Sequence, residues 1–340
     1  MHYNCNPFAP QDDTPVNVLM HPDPAATTAQ ALSIKPDLLT LPDGCTFSEV
    51  PIVDNRREIM EFINRNHGKD TWRRYVSDAE MDYLTEASNV SFYGIRWKGM
   101  LVSLMSMELF EVVVYDKTYR AAFVDYDTVH PKFRKTGIHN LMMALAYQET
   151  IKRGCLMEFF TGHTKLDCKA CMIKPSYLYP LTSTPYVCRL TKNQAMVPFK
   201  IHKQTLRKVT AEDVRLLNSK KEFDVYLTYD DTIIDAMLKY YKLYTDGRCV
   251  LCFVPATYTV NNITVKYAIL VDWVNLDCAV FKEAVEALRK DGFDAISLTN
   301  EGELKELTMN IPFEKKDDVY YYTMNILPKS RKGRINLTVR

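Results

Sequence analysis

The chain has 340 residues, 47% of them hydrophobic, and its 43 basic and 42 acidic residues leave a formal net charge of +1. This balance excludes the strong overall field that draws a protein to nucleic acid or to an anionic membrane, so any recognition of charge is expected to be local. No stretch reaches the roughly 18 consecutive apolar residues of a membrane-spanning helix, and the start "MHYNCNPFAPQDD" lacks the pattern of a secretory signal. A cytoplasmic protein is therefore predicted.

The predicted elements begin after an arm. Residues 1–40 are rich in Pro, Asp, Ala and Thr, which predicts an extended N-terminal segment. The apolar residues of "NRREIMEFINRNH" have helical spacing, and Ser77 followed by Glu80 has the pattern of a capping box at the start of a second helix. The segments "SFYGIRWKGMLVSLMSMELFEVVV" and "RAAFVDYDTV" then predict strands, with a tight turn at "WKGM".

A similar order of elements occurs twice. In the first copy, strands lead to the helix "IHNLMMALAYQETIKRG" and the strand "CLMEFFTG"; in the second, "RCVLCFVPATYTV" and "TVKYAILVDWV" lead to "AVFKEAVEALRKDG" and "FDAISLT". Gly154 and Gly292 each follow a helix, where a left-handed cap favours glycine. The sequence therefore predicts an α/β (α+β) protein with two copies of one unit, at 41–190 and 191–340.

The junction between strand and helix in the first copy has the features of an anion site. The strand ends at "TVH", and "PKFRKTG" leads to a helix that begins near Ile138, whose first N–H groups face outward. Lys132, Arg134 and Lys135 add positive charge, and Gly137 allows a close backbone approach. Neither a Walker loop nor a GxGxxG motif is present, and a basic loop that only caps a helix remains an alternative.

The nine cysteines, an odd number, are typical of reduced intracellular thiols. Cys168 with Cys171 and Cys249 with Cys252 have the CxxC spacing of zinc ligands, and His163 lies near the first pair. The second pair falls in "RCVLCFV", a predicted strand in which residues three apart face opposite sides. We therefore predict no metal site and interpret His163 as a loop residue.

The pattern V-x-P-x-x-R-x-x-G-I in this junction resembles the pyrophosphate-binding loop of the GCN5-related acyltransferases. The segments "LPDGCTFSEVPI", "TWRRYVSDAEMDYL", "VDYDTVHPKFRK", "TLRKVTAEDV" and "RKDGFDAISL" occur in the order and spacing of eukaryotic N-myristoyltransferases. The chain resembles a divergent member of that family over residues 41–340. The resemblance implies two tandem acyltransferase-like units with pseudo-two-fold symmetry, each a mixed sheet flanked by helices.

The resemblance also implies a coenzyme site. The backbone N–H groups of Tyr126 and Asp127 take the places of the family's oxyanion hole, and the Asp127 side chain is expected to point away from it. Asp125 falls where the family has Asn and is expected near the substrate amine, or as a solvated carboxylate. The implied coenzyme contacts are Tyr126, Asp127, Thr128, Val129, Arg134, Lys135, Gly137, Ile138 and His139, with Tyr3, Asn4, Cys5 and Asn6 of the arm.

The implied catalytic base is the α-carboxylate of Arg340, because family members end with a buried C-terminus in the active site. Burial would bring the pKa of that carboxylate and of the substrate amine closer together. The implied peptide contacts are His67, Asp70, Phe160 and Thr161, the last also beside the reacting amine. The peptide preference stays open, because "IPFEKKDDVYYY" replaces a glycine-rich loop of the family.

The predicted activity is transfer of a myristoyl group from myristoyl-CoA to the N-terminal glycine amine of a protein, by a monomer that binds no nucleic acid. Two alternatives remain open from the residues. A short-chain N-acetyltransferase would use the same loop, and a non-catalytic module would bind acyl-CoA and peptide without turnover. His130, at the strand end, is interpreted as structural.

Overall fold

A computed structural model gives the structure of the chain. It describes residues 40–69, 72–114, 117–155, 157–162, 172–182, 198–201, 203–220, 223, 225–260, 263–299, 304, 307, 311, 313–324 and 335–336. The chain forms two compact units that are not consecutive in sequence. The first contains the described residues of 40–69, 89–173 and 320–324, and the second those of 72–88, 174–319 and 335–336.

The described helices are α1 (Ile52–Asn66), α2 (Asp78–Glu86), α3 (Ile138–Lys152), α4 (Ala211–Arg215), α5 (Asp231–Tyr240) and α6 (Cys278–Lys290). The described strands are β1 (Cys45–Glu49), β2 (Gly68–Lys69), β3 (Trp72–Tyr75), β4 (Val90–Trp97), β5 (Met100–Val114), β6 (Lys117–Val129), β7 (Met157–Gly162), β8 (Met172–Pro180), β9 (Val225–Thr228), β10 (Lys242–Thr245), β11 (Val250–Val260), β12 (Ile263–Val274), β13 (Ala295–Thr299), β14 (Glu314–Met324) and β15 (Ile335–Asn336). Short 3₁₀ turns span Pro131–Phe133 and Leu216–Asn218.

The first unit is built on a mixed sheet in the order β1-β4-β5-β6-β7, with residues 320–324 of β14 paired to β7. Its pairs are antiparallel except for β6 and β7, which are parallel and are connected through α3. The buried face of α3 packs with residues of β4, β5 and β6 in one hydrophobic cluster. This core holds the start of α3 against the end of β6.

The second unit repeats this arrangement. Its sheet has the order β8-β13-β12-β11-β3, and β12 and β13 are the parallel pair, connected through α6. The apolar face of α6 packs in a cluster that includes Phe281, Ala284 and Leu288. The predicted repeat of strand, strand, helix and strand is therefore confirmed, as β5-β6-α3-β7 and β11-β12-α6-β13.

The predicted N-cap at Ser77 and the predicted tight turn are both present, but only the Ser77 half of the predicted capping box is recorded. The Ser77 hydroxyl accepts the Glu80 N–H at 3.2 Å at the start of α2, while the Glu80 carboxylate pairs with Arg74 at 2.5 Å. The turn between β4 and β5 has positive φ values at Lys98 and Gly99, as a tight hairpin requires. Within the described part of the chain, no helix is long and apolar enough to cross a membrane.

One carboxyl group is buried in the core of the first unit. Glu158 on β7 is fully buried, and burial raises its pKa to about 8. Its Oε2 lies 3.2 Å from the Thr150 hydroxyl, which is also 3.0 Å from the Ala146 carbonyl. Because that hydroxyl can donate its one proton to the carbonyl, a protonated Glu158 can donate to Thr150 in turn. The geometry therefore suits the neutral acid.

The Glu158→Gln variant tests this state. Between the ordinary glutamate pKa of 4.5 and about 8, the folded protein holds one proton more than the unfolded chain. Its free energy of unfolding therefore falls by up to about 1.4 kcal/mol per pH unit as pH rises. The variant has no carboxyl group to ionise at this site and lacks this loss. The difference in free energy of unfolding between variant and wild type, measured by urea denaturation, should therefore shift in favour of the variant from pH 5 to pH 8. Glu111→Gln, at an exposed site on β5, is the control; equal pH dependence in wild type and Glu158→Gln would contradict a buried acid.

Candidate active site

A β-bulge distorts β6 near its C-terminal end. In the register with β5, two residues of β6, Tyr126 and Asp127, stand opposite the single residue Met105. Tyr126 has a positive φ of 51°, and its buried ring lies beside the Phe92 ring. A bulge takes its extra residue out of the regular ladder and turns the strand. The two residues predicted to form the oxyanion hole are therefore those that leave the regular pairing.

The Tyr126 amide has a carboxylate acceptor in this structure. Its N–H donates to Oδ1 of the preceding residue, Asp125, at 2.7 Å. A hydrogen bond to an ionised carboxylate is stronger than one to a neutral carbonyl. A substrate oxygen that used this amide would have to replace Asp125.

The start of α3 lies next to the end of β6. Gly137 precedes the helix with φ of 89° and no side-chain cap, and Lys135 also has a positive φ, of 64°. The N–H groups in the first turn of a helix have no intrahelical acceptor, and the helix dipole makes this end positive. The loop places Lys135 beside the N-terminus of the helix, on the wall of one cleft.

These groups line a cleft of 840 Å³ in the first unit. It contains most of the coenzyme residues predicted from the sequence; Tyr126 and Ile138 are instead buried in the core beside it. The residues that line the cleft are Asn66, Gly68, Asp127, Thr128, Val129, Phe133, Arg134, Lys135, Thr136, Gly137, His139 and Asn140.

Arg134 acts on the protein's own backbone. Its guanidinium donates to the carbonyl oxygens of Val129 at 3.2 Å, Asn66 at 2.6 Å and Gly68 at 3.4 Å. These bonds join the end of β6 to the end of α1. The predicted contact between this side chain and a coenzyme stays a prediction, because its donors here point to carbonyl groups.

Asp127 and His139 form a pair that the sequence did not reveal. The Nδ1 of His139, in the first turn of α3, lies 2.7 Å from Oδ2 of Asp127. The hydrogen bond to Asp127 is the largest cause of a raised pKa at His139, opposed by partial desolvation. The Asp127 carboxylate is thus held toward the helix start. Two polar residues twelve positions apart carry no local signal of such a contact.

A second imidazole is bonded to the same strand. The Nδ1 of His67, at the end of α1, lies 2.9 Å from the Thr128 hydroxyl, which is 2.8 Å from the Tyr126 carbonyl. Since the hydroxyl has one proton and donates it to that carbonyl, His67 must be the donor in the other bond. His67, predicted as a peptide contact, therefore braces the bulge.

Of the remaining predicted site residues, the structure describes two on β7 and leaves the others outside the described residues. Phe160 is buried in the core of the first unit, and Thr161 is half-buried next to it on β7. Asp70, Arg340 and the arm residues Tyr3, Asn4, Cys5 and Asn6 lie outside the described residues.

The other candidate ligands have structural positions where they are described. His130 accepts the Lys132 N–H at 3.3 Å and caps the 3₁₀ turn, as interpreted from the sequence. Cys249 and Cys252 are buried thiols at the start of β11, whereas His163, Cys168 and Cys171 lie outside the described residues. Among the residues that the structure describes, no group of three metal-ligating side chains is found.

Comparison with known proteins identifies the fold. No family model matches the chain. Its structure is similar to that of Saccharomyces cerevisiae N-myristoyltransferase with bound myristoyl-CoA, with a TM-score of 0.74, 12% identity, and coverage of 91% of this chain and 93% of the yeast chain. A structure of the yeast protein with myristoyl-CoA and inhibitors gives a TM-score of 0.70 and 14% identity, covering 91% and 88%.

A viral protein is similar in sequence. Over 174 residues, the chain is 22% identical to a protein of Acanthamoeba polyphaga mimivirus named "Putative glycylpeptide N-tetradecanoyltransferase". The alignment covers 48% of this chain and 48% of the viral protein, so the chain spans about half the length of the curated relative it matches.

The class that these observations define is a two-unit α/β fold in which a helix N-terminus meets a bulged strand. More particularly, the chain has the fold of the N-myristoyltransferases, as the resemblance in its sequence predicted.

Arg134→Lys should destabilise the first unit. Lysine keeps the positive charge, but its three N–H groups leave one nitrogen, whereas Arg134 donates from Nε to Val129 and from Nη2 to Asn66 and Gly68. A lysine therefore cannot reproduce all three bonds, and the free energy of unfolding should fall by about 1–2 kcal/mol. Lys132→Ala, an exposed position on the same loop, should change it by less than about 0.5 kcal/mol. Urea denaturation of both variants measures the difference; similar small losses would show that the three bonds do not hold β6 to α1.

Proposed function

We propose that the chain is an acyltransferase that transfers a myristoyl group from myristoyl-CoA to the N-terminal glycine amine of proteins, forming an amide. The observation that carries this proposal is the structural similarity, over 91% of the chain, to a yeast N-myristoyltransferase with bound myristoyl-CoA. The cleft of the first unit supports it, because its helix start and basic loop suit the pyrophosphate of a coenzyme.

The coenzyme is proposed to bind along the cleft. The first-turn N–H groups of α3 and the side chain of Lys135 bind the pyrophosphate, while Gly137 leaves room for it because no side chain projects there. Val129 and Thr128, at the end of β6, line the path toward the bulge. The arm residues 3–6 remain part of the proposal from the sequence resemblance.

The thioester is proposed to react at the bulge. The glycine amine attacks the carbonyl carbon, negative charge develops on the carbonyl oxygen, and the carbon–sulfur bond breaks to release the coenzyme thiolate. The main-chain N–H groups of Tyr126 and Asp127 would stabilise that oxygen. A proton must also leave the amine, and the proposed acceptor is the α-carboxylate of Arg340, outside the described residues.

The rest of the assignment is carried over from the sequence. Residues 1–40 and 41–190 are proposed to bind the acyl-coenzyme, and 191–340 to bind the peptide and supply the base. Asp70, Phe160 and Thr161 are the proposed peptide contacts, with His67 as a brace for the strand beside them. A monomer in the cytoplasm remains the proposed state of the protein.

An acylation assay tests the activity. The purified protein is mixed with myristoyl-CoA and a peptide with N-terminal glycine, and mass spectrometry should detect a peptide heavier by one myristoyl group. The same peptide with N-terminal alanine, and the glycine peptide with acetyl-CoA, should react at least about tenfold more slowly. Acetylation faster than myristoylation would favour the short-chain alternative.

Two further arms of this assay address the mechanism. Two glycines added after Arg340 should lower kcat by about 10²–10⁴ if its carboxylate is the base. Tight binding of myristoyl-CoA without any transfer would favour the non-catalytic module, a reading that the bond between Asp125 and the Tyr126 amide also supports.

Asp125→Asn tests whether that bond limits the reaction. The neutral amide oxygen of asparagine accepts the Tyr126 N–H less strongly than the carboxylate does. The substitution also removes a negative charge next to the developing oxyanion. We therefore expect kcat to rise several-fold with little change in KM for the coenzyme. A fall in kcat would instead indicate that the carboxylate contacts the substrate amine, as the sequence resemblance implied.

A further inference from the structure

The pair formed by Asp127 and His139 has no part in the proposed reaction, which uses main-chain groups at both positions. Its two side chains nevertheless join the bulge of β6 to the first turn of α3, with Oδ2 of Asp127 2.7 Å from Nδ1 of His139. Both residues line the cleft, and each side chain is partly exposed, 31% for Asp127 and 43% for His139. They are therefore within reach of a ligand.

The bond between His139 and Asp127 orients the imidazole so that a nearby phosphate would favour the protonated ring. With Nδ1–H donating to Asp127, the remaining ring nitrogen is Nε2. In the neutral ring this nitrogen is an acceptor and repels a phosphate oxygen, whereas in imidazolium it is a donor that binds one. A cation at a helix N-terminus opposes the helix dipole. The Asp127 carboxylate offsets that opposition in the structure.

The Asp127 carboxylate has one oxygen without a hydrogen-bond partner. Within the described part of the chain, Oδ1 is buried and accepts from no donor. A buried acceptor of this kind costs free energy until a donor reaches it. Because Oδ1 is buried, a bound coenzyme does not reach it directly. The complement that coenzyme A offers to the pair is its phosphate oxygens, which an imidazolium at His139 would bind.

We propose that His139, held by Asp127, is a titratable cation of the coenzyme-binding site, and that it makes the affinity for the pyrophosphate depend on pH. The inference rests on the proposed function and adds to it a charged contact that the main-chain groups do not supply.

Other charged and titratable groups lie on the elements packed around the pair. Lys135 and Arg134 are the basic residues on the loop before α3. His67 at the end of α1 and His130 at the start of the 3₁₀ turn are the other imidazoles on the packed elements. The test must therefore distinguish His139 from these two histidines.

The direction of the effect follows from linkage. The bond to Asp127 raises the pKa of His139, and a bound pyrophosphate would raise it further. The complex therefore holds the proton more tightly than the free protein does. Affinity falls as pH rises from the pKa of His139 in the free protein to its higher pKa in the complex. At low pH the imidazolium contact is fully present.

Binding of 3′-dephospho-coenzyme A, measured by titration calorimetry from pH 6 to pH 9, tests the proposal. This ligand keeps the pyrophosphate but lacks the 3′-phosphate, whose own ionisation near pH 6 would act in the opposite direction. Wild type should bind this ligand at least about tenfold more weakly at pH 8.5 than at pH 6. His139→Gln should show a nearly constant Kd, close to the wild-type value at high pH.

Three other variants sharpen the result. Asp127→Asn should move the pH midpoint to lower values without abolishing the dependence, because it removes the charge that favours imidazolium. His130→Asn keeps a capping acceptor at the 3₁₀ turn, and His67→Gln keeps a donor to Thr128; both should retain the wild-type pH dependence. An NMR titration of His139 in wild type should show its pKa rising when 3′-dephospho-coenzyme A binds.

Two outcomes would overturn the inference, and they are distinguishable. A pH dependence that persists in His139→Gln, or a wild-type Kd that does not change with pH, would remove His139 from the site while leaving the coenzyme cleft in place. No binding of 3′-dephospho-coenzyme A at any pH would overturn the proposed coenzyme site, and this inference with it.

Discussion

The parallel pairing of β6 with β7 is the constraint on which the candidate site depends. Parallel neighbours need a crossover, and α3 supplies it by running back across the sheet from the end of β6 to the start of β7. Its N-terminus must therefore lie where β6 ends. The buried face of α3 fixes this position against β4, β5 and β6. A strand end, a basic loop and the positive end of a helix are brought to one cleft by topology alone.

The bulge in β6 determines which polar groups face one another at the edge of that cleft. It turns Tyr126 and Asp127 out of the regular ladder. Three polar side chains make hydrogen bonds there. Asp125 accepts the Tyr126 N–H, His67 bonds to the Thr128 hydroxyl, and His139 bonds to the Asp127 carboxylate. A mechanism that relies on main-chain donors tolerates unusual side chains at these positions. The side chains can then make contacts of their own, as Asp125 does with the Tyr126 amide and His139 does with Asp127.

The sequence predicted the elements and the cleft better than it predicted the contacts within them. The repeated order of strands and helix, the start of α2 at Ser77 and the basic loop before α3 depend on local periodicity and capping, which short segments encode. The role of Arg134 could not be predicted from a motif, because its three acceptors are carbonyl groups that come together only when α1 packs beside β6. The expectation that the Asp127 side chain turns away did not reveal the imidazole that holds it.

The sequence by itself determined that the chain folds as two similar α/β units and that a helix with a glycine and basic residues before it follows a strand, because these features are written in residues that are neighbours along the chain. Only the tertiary structure determined which charged and polar side chains of the cleft contact one another. Asp127 and His139 are separated by a strand end, a 3₁₀ turn and a loop, and Asp125 reaches the Tyr126 amide because of a bulge set by the register with β5. Register and helix packing arise from long-range contacts, so the electrostatics of the cleft depend on the fold.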